Sequence, residues 1–141
     1  MTDYLTVVEV LAIHADQIDR YGGSHGVRDP GLLEAALYRP QTGYYTDLIE
    51  EAAALWESLS ENHAFIDGNK RTTLIVVVMF ITRSNYQLVA VKNDIVKEVE
   101  NMILDVVEDR MSLENAQSWF RAHVRDDTWI RLLAPKKPVL R

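Results

Sequence analysis

Apolar residues recur at three- and four-residue intervals along most of the chain, the period of helices laid against a core. Val7, Val10, Leu11, His14 and Ile18 trace one face of a first helix running to about Arg20. Thr6-Val7-Val8-Glu9 has the capping-box sequence, Leu5 and Val10 are spaced as a hydrophobic staple, and Gly22-Gly23 ends the segment. On that face His14 reads as a packed core histidine, with a ligand as the alternative. Asp29 as N-cap and Pro30 at the first helical position start a short second helix to about Tyr38.

From Arg39 to Thr46 the helical period breaks. Pro40, Gly43 and the pair Tyr44-Tyr45 predict a loop or a small β-hairpin, against the alternative of a plain connector with surface tyrosines. A third helix from about Asp47 puts Leu48, Ala52, Leu55, Trp56 and Leu59 on one face and delivers His63 at its end. The fourth, about Asn69 to Ser84, is apolar nearly all round. Val76-Val77-Val78 would suit a buried strand equally, but the length favours a helix, and the all-round apolarity makes it the central one. Asn85-Tyr86 turns the chain, and Gln87 to Val91 reads as a short extended piece. Asn93 caps a fifth helix to about Asp109, with Ile95, Val99, Met102, Ile103 and Val106 on one face. Ser112 caps a sixth, carrying Leu113, Ala116, Trp119, Phe120 and His123. The acids from Glu98 to Asp109 read as a solvated face.

The expected fold is therefore all-α, about six helices around a buried central one. Residues 1–125 form one domain, and 126–141 form a C-terminal extension, basic from 131. That tail holds Arg131, Lys136, Lys137 and Arg141 without an acid, and reads as loosely held, with partner binding as the alternative. No internal repeat or low-complexity segment interrupts the pattern.

Composition narrows this picture further. At 141 residues, one domain is the default, and such a chain buries roughly two thirds of its unfolded surface. The absence of cysteine removes disulfides and thiolate metal sites. The longest apolar run, Leu74 to Ile81, is too short to span a bilayer, and no basic-then-apolar start announces export, so the expected location is cytoplasmic with no membrane partner. A net charge of −6 argues against direct nucleic-acid binding. The four histidines are scattered without a ligand-spaced pair, which disfavours a metal hydrolase.

Chemistry concentrates in His63-Ala64-Phe65-Ile66-Asp67-Gly68-Asn69-Lys70-Arg71. Asp67-Gly68 suits a turn, and Asn69 onward reads as a helix start, where backbone N–H groups and the dipole favour an anion. Lys70 and Arg71 add two cations there, and Arg grips phosphate oxygens bidentately. If the loop binds a nucleotide's phosphates, Asp67 would hold Mg²⁺, which accepts one or two carboxylates alongside phosphate and water. His63 would take a proton from an attacking hydroxyl. Gly68, Asn69 and the N–H groups that follow would form an anion nest. On residues alone, an inert polar loop leading into a buried helix stands equally open. The segment is no P-loop, since no glycine sits five residues before Gly68-Asn69-Lys70 and no Ser or Thr directly follows Lys70.

The same residues carry a resemblance. His63-x-Phe65-x-Asp67-Gly68-Asn69-Lys70-Arg71 resembles the signature of the Fic/Doc family, and the lysine at position 70 resembles its death-on-curing branch. Arg20-Tyr21-Gly22-Gly23, then Val27-Arg28-Asp29-Pro30-Gly31-Leu32-Leu33-Glu34 and Arg39-Pro40-Gln41, resemble that branch's N-terminal half in order and spacing. The resemblance implies a Fic-type helical bundle with His63 as base, Asp67 as Mg²⁺ ligand, and Gly68, Asn69, Lys70 and Arg71 on the phosphates of ATP. It implies that Arg39, Pro40, Gln41, Thr42, Gly43, Tyr44 and Tyr45 form a flap that pairs with a target's backbone. The implied activity is transfer of the ATP γ-phosphate to a Ser or Thr hydroxyl of a translation factor, elongation factor Tu in the family, arresting growth. A small antitoxin would restrain it in trans. AMP transfer to a protein hydroxyl is the alternative chemistry, and a catalytically idle binding module the alternative class.

Lys70 bears on that choice. AMP-transferring relatives have glycine here, leaving room for the α- and β-phosphates, which a lysine would fill; a solvent-facing Lys70 is the plainer reading. Two departures stand out: Ala64 where most relatives have proline, and Glu61 where several have a basic residue. The inhibitory motif of some Fic proteins, Ser or Thr four residues before Glu-Gly or Glu-Asn, has no match. Glu61-Asn62, Glu100-Asn101 and Glu114-Asn115 are preceded at that distance by Glu57, Val96 and Arg110.

Overall fold

The capping box at Thr6 forms as its sequence predicts. The Thr6 hydroxyl accepts from the Glu9 amide at 3.2 Å, and the Glu9 carboxylate accepts from the Thr6 amide at 3.0 Å. From that cap α1 runs over Val7–Tyr21, and Gly22, at φ 84°, closes it by donating its N–H to the Ile18 carbonyl. Asp29 accepts from the Leu32 amide to start α2, Pro30–Tyr38. Asp47 accepts from the Glu50 amide to start α3, Leu48–Asn62. α4 spans Asn69–Arg83, α5 Ile95–Val107 and α6 Leu113–His123. These come from a computed structural model that describes residues 2–84, 86–92, 94–108 and 110–126. The turn residue Asn85, the expected cap at Asn93, the side chains of Ile103, Val106 and Leu113, and the basic tail from 127 lie outside the described residues.

Two elements of secondary structure differ from the sequence reading. The segment after α2 is not a hairpin: Arg39–Thr42 is a 3₁₀ helix, closed by Gly43 in the left-handed region at φ 82°. Proline normally pushes the residue before it out of the helical region, yet Arg39 is helical at φ −50°, ψ −47°. Its side chain supplies the reason. The Arg39 guanidinium bonds the Tyr45 hydroxyl at 2.8 Å, Glu57 at 3.1 Å and Ser58 at 2.9 Å, fastening the turn to α3. The second difference is a strand. β1, Tyr86–Leu88, pairs antiparallel with β2, Val124–Asp126, where the sequence reading had only the end of the domain. β1 overlaps the short extended piece expected at Gln87 to Val91, while the three residues of β2 carry too little alternation to be read beforehand.

Packing places two helices at the centre rather than one. α4 touches α1, α3, α5 and β1, while α3 touches α2, the 3₁₀ turn, α4 and α6. Val76, Val77, Phe80 and Ile81 of α4 are wholly buried, as are Ala52 of α3 and Phe120 of α6, and Trp56 meets Phe120 edge-on at 5.8 Å. Ile75, Val78 and Met79 are only half-buried, so α4 shares the core's axis with α3. Glu98 also leaves the solvated acid face expected of it. One carboxylate oxygen accepts from the amides of Val91 and Lys92 and from the His123 ring, tying α5, α6 and the segment after β1 together. Among the described residues no helix is long and apolar enough to cross a membrane.

Candidate active site

The core delivers α3's C-terminus to the surface beside the N-terminus of α4, and the six residues between them make the site. His63 ends α3 in the left-handed conformation, φ 47° and ψ 51°, a region that His tolerates better than most residues. The turn sends its ring out to solvent, while its carbonyl accepts from the Arg28 guanidinium. Ala64 and Phe65 then plunge into the core, 1% and 2% exposed.

This loop is strapped down from outside. The Ala64 carbonyl accepts from the amides of Arg28 at 2.7 Å and Asp29 at 3.2 Å, and the Ile66 amide donates to the Gly26 carbonyl at 3.1 Å. Val27 and Phe65 form an isolated antiparallel bridge. Buried backbone polar groups need such partners, and the chain from Gly26 to Asp29 provides them.

Asp67 stands at the rim with both carboxylate oxygens held. Oδ1 accepts from the Gly68 amide at 2.8 Å and Oδ2 from the Ser24 amide at 3.1 Å. The N–H groups of Ser24 and Gly68 hold its carboxyl below the usual carboxylate range; slight burial opposes them and the Arg71 charge assists. Gly23 makes this approach feasible, since a Cβ there would fall 2.6 Å from Oδ2, and its φ of +117° suits glycine alone. Gly68 follows in the left-handed region at φ 76° and opens α4 without a side-chain cap. The first amides of α4 therefore face outward as an anion-binding terminus.

Asn69 departs from the expected arrangement. Its amide bonds the Phe65 backbone twice, donating to the carbonyl at 2.9 Å and accepting from the N–H at 3.0 Å. The side chain thus locks the loop, leaving only its backbone N–H for an anion. Arg71 reaches back to α1's C-terminal end, donating to the Gly22 carbonyl at 3.0 Å and lying 3.5 Å from the Gln17 carbonyl. Lys70 is exposed on the first turn. His63, Ile66, Asp67, Gly68, Asn69, Lys70 and Arg71 together line one open cleft of about 320 Å³.

The flap residues lie elsewhere. Arg39, Tyr44 and Tyr45 line a separate hollow of about 210 Å³ with residues of α3 and Gln117. Pro40 is buried, the Gln41 side chain bonds the Leu37 carbonyl, the Thr42 hydroxyl bonds the Arg39 carbonyl, and Tyr44 is 82% exposed. Glu61 is exposed on α3's last turn. Sequence reasoning missed Gly23, Ser24, Arg28 and His14 as parts of the site. His14 Nε2 lies 2.7 Å from the Asp67 carbonyl, a contact across 53 residues that no local pattern announces.

An exposed imidazole, a carboxylate held in its charged form and two cations thus share one cleft with an uncapped helix N-terminus on a helical bundle. The sequence matches the Fic/DOC family model over residues 4–81, and the chain belongs to that family. It is 46% identical over 95 residues to Toxin Doc of Mycolicibacterium smegmatis, an alignment covering 64% of this chain and 71% of that protein. It is 36% identical over 89 residues to Protein kinase doc of Escherichia phage P1, covering 60% of this chain and 71% of the relative.

Proposed function

We propose that this chain is a Doc-type toxin that transfers the γ-phosphate of ATP to a Ser or Thr hydroxyl of a translation factor, elongation factor Tu by resemblance. A small antitoxin restrains it in trans. One observation carries the reading: the exposed His63 ring and the ionised Asp67 carboxylate share a cleft with the uncapped N-terminus of α4. The phage relative's name, a protein kinase, supports phosphoryl rather than nucleotidyl transfer.

In this reading His63 takes the proton of the acceptor hydroxyl as its oxygen attacks the γ-phosphorus and ADP leaves. Asp67 fits a Mg²⁺ ligand by its donor chemistry: it is the one carboxylate among the residues lining the cleft, and its N–H donors favour the charged form. When bound, Mg²⁺ would offset charge on the phosphate oxygens. The Asn69 backbone amide at the start of α4, with Lys70 and Arg71, holds those oxygens, while the Gly68 N–H stays on Asp67 and the Asn69 side chain keeps the loop in shape. Arg71 is pre-oriented by the carbonyls of α1, which reduces the side-chain entropy lost on gripping a phosphate. Target contact falls to the segment 39–45, led by exposed Tyr44.

Lys70 tests the choice of phosphate. A long cation on the first turn leaves less room along the loop than glycine would, so the nucleotide presents its γ-phosphate toward His63. Wild-type protein should label its target from γ-labelled ATP and not from α-labelled ATP, and Lys70→Gly should lose the γ-transfer. Labelling from the α-position would replace the kinase reading with AMP transfer. Tight Mg²⁺-ATP binding without turnover on any protein would leave an idle binding module.

A further inference from the structure

We propose that His14 is a positioning residue for the 65–68 loop, setting from the buried side the direction in which the Asp67 carboxylate faces the cleft. This rests on the reading of Asp67 as the carboxylate that meets the nucleotide's metal. Three contacts converge on one ring. Nε2 lies 2.7 Å from the Asp67 backbone carbonyl, and a carbonyl carries no proton, so Nε2–H is the donor. The ring stacks on Phe65 with centroids 3.9 Å apart and planes 7° off parallel. A Cβ at Gly68 would stand 3.7 Å from Cδ2, so the ring also backs the left-handed residue that opens α4. The imidazole therefore meets Phe65, two residues before Asp67, and Asp67 itself, and stands beside Gly68, which follows it.

Burial gives these contacts their weight. His14 is 3% exposed, so water does not take over the donor's place if the ring is lost. Asp67's carboxylate is steered from outside by Ser24 N–H, but its backbone is steered from inside by His14. Such outer partners of a metal ligand are typically worth about 10–100-fold in metal affinity.

Two variants and two readouts test this in the full-length protein. His14→Leu keeps apolar bulk and removes the donor, while His14→Gln returns an N–H close to the position of Nε2. Amide hydrogen exchange at Ser24 and Gly68 reports the Asp67 carboxylate's seat without any nucleotide. His14→Leu should speed exchange at both amides and raise the half-saturating Mg²⁺ for transfer by about 10–100-fold, more than it lowers kcat. His14→Gln should recover most of both effects. A folded His14→Leu with wild-type exchange at Ser24 and Gly68 overturns the proposal. If His14→Leu does not fold, the ¹⁵N spectrum of the wild-type ring decides: a protonated Nε2 supports it and a bare Nε2 overturns it. A wild-type protein with no transfer activity sinks the kinase reading alone, because the exchange measurement still reads the loop.

Discussion

At the scale of single residues, the backbone decides what each functional group can do. His63 occupies a left-handed conformation that withdraws its carbonyl toward Arg28 and leaves its ring outside the core. His63→Ala should therefore cost transfer about 10²–10⁴-fold, the range for a lost general base, while the melting temperature stays near wild type. A large drop in melting temperature would make the ring a packing residue instead. Gly23 is the complementary case. Gly23→Ala puts a methyl against Asp67 Oδ2 in a φ region costing about 1–3 kcal/mol for other residues. The variant should lose the Ser24–Asp67 hydrogen bond and weaken the Mg²⁺ dependence of nucleotide binding, read by titration calorimetry. Unchanged Mg²⁺ dependence would show that Asp67 tolerates displacement or that the metal sits elsewhere. Of the nine-residue motif, the exposed places of His63, Asp67 and Lys70 were legible one by one, because each bears a charged or titratable group at a turn or helix start. Asn69 was not, because its amide is spent on Phe65, a partner that exists only once the loop has closed.

At the scale of elements, caps were legible and clamps were not. Thr6, Asp29, Asp47 and Ser112 each act within three residues of themselves, so local sequence suffices. Glu98 acts across the fold, and its behaviour follows from its partners. Burial pushes its carboxyl up, but the Val91 and Lys92 amides and the His123 ring outweigh this and leave it below the ordinary glutamate value of 4.5. A depressed carboxyl stabilises the folded state above its unfolded pKa, and that contribution disappears as pH falls through the folded value. Glu98→Gln should therefore be less stable than wild type at pH 7, with the gap narrowing below pH 4.5. Urea midpoints across that range measure it; a gap independent of pH would mean that folding does not depress the Glu98 carboxyl. Its partner loop precedes α5, and its histidine ends α6 just before β2, so the clamp and the two-stranded pair reinforce each other.

At the scale of the whole molecule, α3 and α4 form the axis, and the site occupies the connection between them. Residues 26–29 cross that connection, so the loop between α1 and α2 is structural scaffolding for the chemistry. The sequence holds no match to the inhibitory Ser/Thr-x-x-x-Glu-Gly/Asn pattern, in keeping with the proposal that a second protein restrains it. Expression without a partner should arrest growth, and His63→Ala should relieve the arrest at equal protein level. Normal growth of cells holding soluble, folded wild-type protein would count against a toxin.

The sequence by itself determined the helices, their caps and the motif that marks the site, because each depends on residues within a turn or two of one another. The helical period places Val76, Val77 and Phe80 in the core, and Asp67-Gly68 before an apolar run makes a turn and a helix start. Only the tertiary structure decided that α3 shares the centre with α4, since a period describes one helix and not its neighbours. It alone turned Arg39-Pro40 into a 3₁₀ helix, through an arginine fastened 18 and 19 residues away on α3. It alone brought His14 and Ser24 to Asp67, 53 and 43 residues distant, because a hydrogen bond records distance in space and leaves no period in the chain.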